Sequence, residues 1–153
     1  MNKITPFLWY EKDMKGIIDY YKSIFPDLKT SYVGGLENTP SGNVETATIE
    51  ILGQKLSLMT AGPEFKFNES VSFVISCDNQ EEVDYYWNAL TKEGEESQCG
   101  WLKDKFGLSW QVTPTELFKL LGDSDRQKAG KVTQAMLQMK KIDIEKLREA
   151  YNS

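Results

Sequence analysis

Apolar positions along this chain fall into short blocks whose spacing alternates between strand-like and helix-like, and the order of the blocks occurs twice. Ile4–Tyr10 is apolar and aromatic and predicts a strand. Asp13 offers an N-cap, and Ile17, Tyr20, Tyr21, Ile24 and Phe25 recur at helical spacing until Pro26 forces the chain out of the helix. Leu28–Val33 predicts a second strand, followed by a polar loop over Gly34–Asn43. Val44–Leu52 alternates, with Ala47, Ile49 and Ile51 on one face and Thr46, Thr48 and Glu50 on the other; Gly53–Gln54 turns the chain, and Lys55–Thr60 returns as a strand. Ala61–Asn68 reads as a linker, after which the pattern restarts with an apolar strand, Ser70–Cys77. Asp78 and Glu81 form an acidic capping box for a helix that carries Val83, Tyr86, Trp87 and Leu90 and ends at Glu93–Gly94. An aromatic hairpin follows, with strands over Cys99–Leu102 and Leu108–Thr113 around the charged turn Lys103–Gly107.

The restart is an internal repeat. Asp19–Tyr20–Tyr21 matches Asp84–Tyr85–Tyr86 at an offset of 65, which also sets Leu8 on Phe73 and Trp9 on Val74. Each half therefore reads strand–helix–strand–strand–strand. The pattern predicts an α+β fold of two tandem βαβββ modules, residues 1–62 and 68–113, with C-terminal helices over 114–153. Units that cannot bury their own sheet face are expected to pair. In the tail, Thr113–Glu116 forms a capping box with Pro114 at the first helical position. Asp123–Asp125 starts a second helix with Val132, Ala135, Met136 and Met139 on one face, and Asp143 caps a third with Ile144, Leu147 and Tyr151 inward. This tail is expected to dock on a sheet or on a partner subunit. Adjacent tyrosines cannot both face inward along one helix face, so one of each pair is expected to be exposed.

Composition narrows the chemistry. A chain of 153 residues buries a sizeable core without a disulfide or a structural metal. The formal net charge of −5 argues against nucleic acid and against an anionic membrane surface. No apolar run is long enough to span a bilayer, and the first residues carry no signal-peptide core, so a cytoplasmic location is expected. Cys77 and Cys99 read as reduced thiols. The chain contains no His, which removes the commonest general base and metal ligand and any Ser-His-Asp or Cys-His nucleophile.

The stretches ITPFLWYEKDMKGIIDYYKSIF, LGQKL, GPEFKFNESVSFVISCDNQEEVDYYW, CGWLKDKFGLSWQVTP and AMLQMKKIDIEKLREAY resemble the PhnB-like subfamily of the glyoxalase/bleomycin-resistance/dioxygenase (vicinal oxygen chelate) superfamily. Its domain carries the label 3-demethylubiquinone-9 3-methyltransferase. The resemblance covers nearly the whole chain and implies a single glyoxalase-like domain over 1–153 and a homodimer, for which Tyr10 and Tyr85 would be suitably exposed aromatics. In metal-using members of the superfamily, ligands lie on the first and last strands of each module. The corresponding positions here hold Pro6 with its neighbour Thr5, Leu58 or Met59, Ser70 and Gln111, none a usual ligand for a Lewis-acid metal, so no metal is expected. The methyltransferase label finds no glycine-rich strand–helix turn to support it, and no cofactor is expected.

Trp9, Trp101 and Trp110, with Met59, Ser70, Cys99 and Gln111, are the candidate ligand-binding residues. The tryptophans would line an aromatic cavity or else form core. Cys99 would be a thiol activated by Lys103 and Lys105, or a small buried hydrophobe. Glu45 and Glu50 are the acids placed nearest a cavity, Glu50 on the polar face of its strand. Two readings follow: a metal-independent binding protein for a small, partly apolar molecule, or a lyase- or transferase-type enzyme of the superfamily whose acid or base is a group other than His.

Overall fold

A computed structural model describes residues 3–153. The fold is α+β: two four-stranded mixed sheets, each with its own helix in a βαβββ-like module, and three C-terminal helices. The described residues form two compact units that divide between Lys66 and Phe67.

In the first unit, β1 (Phe7–Tyr10) is followed by α1 (Met14–Ile24), β2 (Lys29–Thr39), β3 (Gly42–Ile51) and β4 (Gln54–Thr60), arranged as β1-β4-β3-β2 with β1 parallel to β4. The alternation read from β3 is the burial pattern: Ala47, Ile49 and Ile51 are buried on the side against which α1 packs, while Thr48 and Glu50 are half-buried on the other. Asp13 caps α1, accepting from the Gly16 backbone N–H at 3.0 Å. Several boundaries differ from expectation. Ile4 is exposed and lies outside β1. The expected Gly34–Asn43 loop is mostly strand, because Gly34 and Gly35 pair with Thr46 and Glu45 and only Pro40–Ser41 turn. The second turn is Leu52–Gly53, with φ of 48° and 83°, the two positive values that a two-residue hairpin of type I′ demands. Tyr20 and Tyr21 are both buried, against the rule that one of them faces out. Their rings meet edge-on at 5.1 Å, and Tyr10, expected to be exposed, is buried with its hydroxyl 2.9 Å from that of Tyr21.

In the second unit, β5 (Ser72–Cys77), α2 (Gln80–Thr91), β6 (Glu95–Glu96), β7 (Trp101–Lys103) and β8 (Ser109–Pro114) repeat the order as β5-β8-β7-β6. β6 is the strand that no hydrophobic pattern announced: two glutamates, held by pairing to Lys103 and Leu102. The cap of α2 is Asn79 rather than Asp78, accepting from Glu82 N–H at 2.9 Å, while the Glu82 carboxylate accepts from Asp78 N–H at 2.7 Å. The cap begins one residue later than expected, and the carboxylate that reaches back takes the N–H before the cap residue instead of the cap's own. That shift also corrects the repeat. The two N-caps, and the buried sets Ile17, Tyr21, Ile24 and Val83, Trp87, Leu90, correspond at an offset of 66. Tyr21 thus matches Trp87, and the shared Asp-Tyr-Tyr is one residue out of structural register.

The tail consists of α3 (Thr115–Leu121), α4 (Arg126–Leu137) and α5 (Ile144–Asn152) around Leu117, Val132, Ile142 and Leu147, with Met136, Met139 and Tyr151 packed on them. Pro114 ends β8 and is itself the N-cap of α3, so the expected Thr113 cap does not form. The tail docks on the second module through paired backbone: Cys99 N–H donates to Met139 O and Gly100 N–H to Lys140 O, both at 2.8 Å. Gln80 adds a side-chain clamp, donating to Ile142 O at 3.0 Å and accepting from Ile144 N–H at 2.9 Å.

Candidate functional site

Strand parity in the second sheet gives it two chemically different faces. Leu102, Trp110 and Val112 are buried with the apolar side of α2. The opposite face carries two cross-strand rows set by register, Val74–Gln111–Trp101 and Ser72–Ser109–Lys103–Glu95, the second running across all four strands. A cleft of about 500 Å³ opens on this face, lined by Glu69, Glu95, Glu96, Ser97, Gln98, Cys99, Trp101, Leu102, Lys103 and Ser109.

Of the candidate residues, the cleft brings together Cys99 and Trp101. Cys99 is half-buried in a left-handed conformation (φ 60°), followed by Gly100 at φ 84°. A Cβ on Gly100 would sit 2.9 Å from Val112 O, so the close approach requires glycine as well as the backbone angle. Cys99 and Gly100 therefore precede β7 instead of belonging to the expected Cys99–Leu102 strand. Gln111 lies beside Trp101 in its row and donates to Ser72 Oγ at 2.9 Å. Trp110 points the other way; it is 3% exposed and its indole N–H donates to Asp104 Oδ2 at 2.9 Å. Ser70 is exposed and precedes β5, held by Asn68 Oδ1 at 2.9 Å from its backbone N–H. Trp9 and Met59 are cross-strand partners in the first unit, where Trp9 donates to Gly62 O at 2.9 Å and meets the Phe65 ring edge-on.

Two features escaped sequence reasoning. The first is Asp104, buried at the start of the hairpin turn. Besides Trp110 it accepts from the backbone N–H groups of Phe106 (2.8 Å) and Leu108 (3.1 Å), a self-bonded turn that the Asp-x-x-Gly spacing could have signalled. The second is the ion pair between Lys103 Nζ and Glu69, 2.6 Å long, at the cleft wall. Lys103 holds the Glu69 carboxyl below its ordinary range, and Glu69 in turn raises Lys103. Glu95, across the strand pair from Lys103, makes no ion pair with a described residue. Glu96 accepts from the Trp87 indole at 3.1 Å and lies 3.8 Å from Lys140. On β3, Glu45 is exposed and Glu50 pairs with Lys29 at 3.7 Å.

The tryptophans now separate. Trp9, Trp87 and Trp110 each spend the indole N–H on a protein acceptor. Trp101 lines the cleft, and its indole N–H donates to no described residue.

The order of elements in the two modules agrees with comparison to known proteins. The 3-demethylubiquinone-9 3-methyltransferase family matches residues 2–113. The chain belongs to that family. It is similar to the PhnB protein of Bacillus cereus, provisionally named a 3-demethylubiquinone-9 3-methyltransferase, at 25% identity and a TM-score of 0.64, over 74% of this chain and 100% of that one. It also shares the fold of the fosfomycin resistance protein FosX of Listeria monocytogenes, at 17% identity and a TM-score of 0.57, over 80% of this chain and 98% of that one. No curated protein matches. The family match ends at residue 113, so the helical tail that fixes Cys99 and Gly100 lies beyond it.

FosX has been solved with Mn(II). The residues of this chain do not fit such an ion. Among the described residues no three of His, Cys, Asp and Glu come together to hold a metal, and Gln111, whose NH2 donates to Ser72, offers one neutral carbonyl oxygen. No described helix is long and apolar enough to cross a membrane.

Proposed function

We propose that this PhnB-like protein binds a small, partly apolar molecule in the cleft of its second module, without a metal. The observation that carries this reading is Trp101: an indole half-exposed in the cleft with an unspent N–H donor, beside Cys99. A cavity of about 500 Å³ falls within the range of small-molecule sites, and an apolar wall with a few placed polar groups is the usual composition of one. Here Trp101 and Cys99 give the apolar part, and Glu95, Glu96, Ser97, Gln98, Ser109 and the Lys103–Glu69 pair the polar one.

The test is a thermal-shift panel on chelator-treated protein, with small aromatics, quinone-like molecules, thiols and divalent cations as separate arms. A ligand at a hundred times its Kd stabilises by about 2.7 kcal/mol. A rise in Tm with an organic compound, absent in Trp101→Ala, is the expected result. A rise with Mn²⁺ or Zn²⁺ at low concentration, and none with any organic compound, would overturn the reading and favour a chelate-type enzyme.

A further inference from the structure

We infer that the cleft selects an organic cation: an apolar or aromatic body carrying an amine, rather than an anion. This rests on the reading of the cleft as a binding site and names the class of its ligand. Three carboxylates and one ammonium line the cleft. The ammonium of Lys103 is already engaged by Glu69 at 2.6 Å, so its charge is answered before any ligand arrives. Glu96 is answered in part by Lys140 from outside the lining. Glu95 faces the same Lys103 ammonium across the strand pair but forms no ion pair with it, because Glu69 holds that ammonium; its carboxylate closes the row that runs beside Trp101. A cation set between Glu95 and the face of Trp101 meets a negative charge and the negative face of an indole together. An anion in the same place meets Glu95, and must break the Lys103–Glu69 pair to find a positive partner.

Phenethylamine, 2-phenylethanol and phenylacetate share a body and differ in charge, so their dissociation constants, measured by titration calorimetry at low ionic strength, read the charge preference directly. Phenethylamine is expected to bind about fivefold tighter than 2-phenylethanol, with phenylacetate weakest. Glu95→Gln, at an exposed position, is expected to bring phenethylamine down to the affinity of 2-phenylethanol for the same variant, and Trp101→Ala to weaken all three. If 2-phenylethanol binds through Trp101 but phenethylamine binds no tighter than phenylacetate, the charge inference is wrong and the cleft reading survives. If none of the three binds, or if binding ignores Trp101→Ala, both are wrong.

Discussion

Trp101 and Trp110 belong to one hairpin and face opposite ways, and the difference follows from parity. Leu102 pairs with Trp110 on the helix side, and Trp101 with Gln111 on the cleft side. Both tryptophans were visible in the sequence as candidates; their separation was not, because it depends on the register that the Asp104 turn imposes. Asp104 satisfies three donors from a buried position, so Asp104→Ala leaves all three unmet and should destabilise the protein by about 3 kcal/mol, measured by urea unfolding. The cysteines separate in the same way. Burial, then the neighbouring Glu82 and Asp78, push the Cys77 thiol up to about 12, whereas Cys99 opens on the cleft. Iodoacetamide should therefore label Cys99 in the native protein and reach Cys77 only on unfolding, as peptide mapping by mass spectrometry will report.

At the scale of elements, segments with a clear period were legible and those without were not. β3, β4 and both modular helices alternate or recur as their burial requires. β6 offers only Glu95–Glu96, and the outer half of β2 offers two glycines, polar residues and a solvent-exposed Leu36, so pairing rather than a buried face makes them strands. The cap of α2 was misplaced by one residue because Asp78 and Asn79 both suit the role, and only geometry shows which side chain reaches an N–H. Asn79→Ala should cost about 1 kcal/mol and Asp78→Ala much less, a contrast that chemical denaturation resolves. At the turn between β3 and β4, Leu52 holds φ of 48° while largely exposed. Leu52→Asn should stabilise by about 1 kcal/mol by relieving that conformation.

Across the whole molecule, the family and the doubled topology could be read from the chain, whereas the tail's part in the site could not. Nothing in its amphipathic pattern says that Met139 and Lys140 pair with Cys99 and Gly100. The electrostatics of the second unit and its tail set the pH response. Lys103 lowers Glu69, Lys141 and Gln80 lower Asp84, Arg148 lowers Glu116, and the Tyr151 hydroxyl lowers Asp123. A carboxylate whose folded pKa is depressed stabilises the fold above its unfolded value and loses that contribution as pH falls through the folded one. Tm should thus decline steadily on acidification below the ordinary carboxylate range. Cys77 acts with the opposite sign: its raised folded value keeps the thiol protonated, so stability is full below the unfolded pKa and falls as pH rises toward about 12.

The central claim is that the second module's cleft is the ligand site and Trp101 its recognition group. The most direct test is the set of four indole N–H resonances in a ¹⁵N-labelled sample titrated with 2-phenylethanol, assigned by single Trp→Phe variants. The Trp101 resonance is expected to shift with saturation while those of Trp9, Trp87 and Trp110, already bonded to protein acceptors, stay in place. A shift confined to Trp9, or no shift at Trp101 at saturating probe, would contradict it.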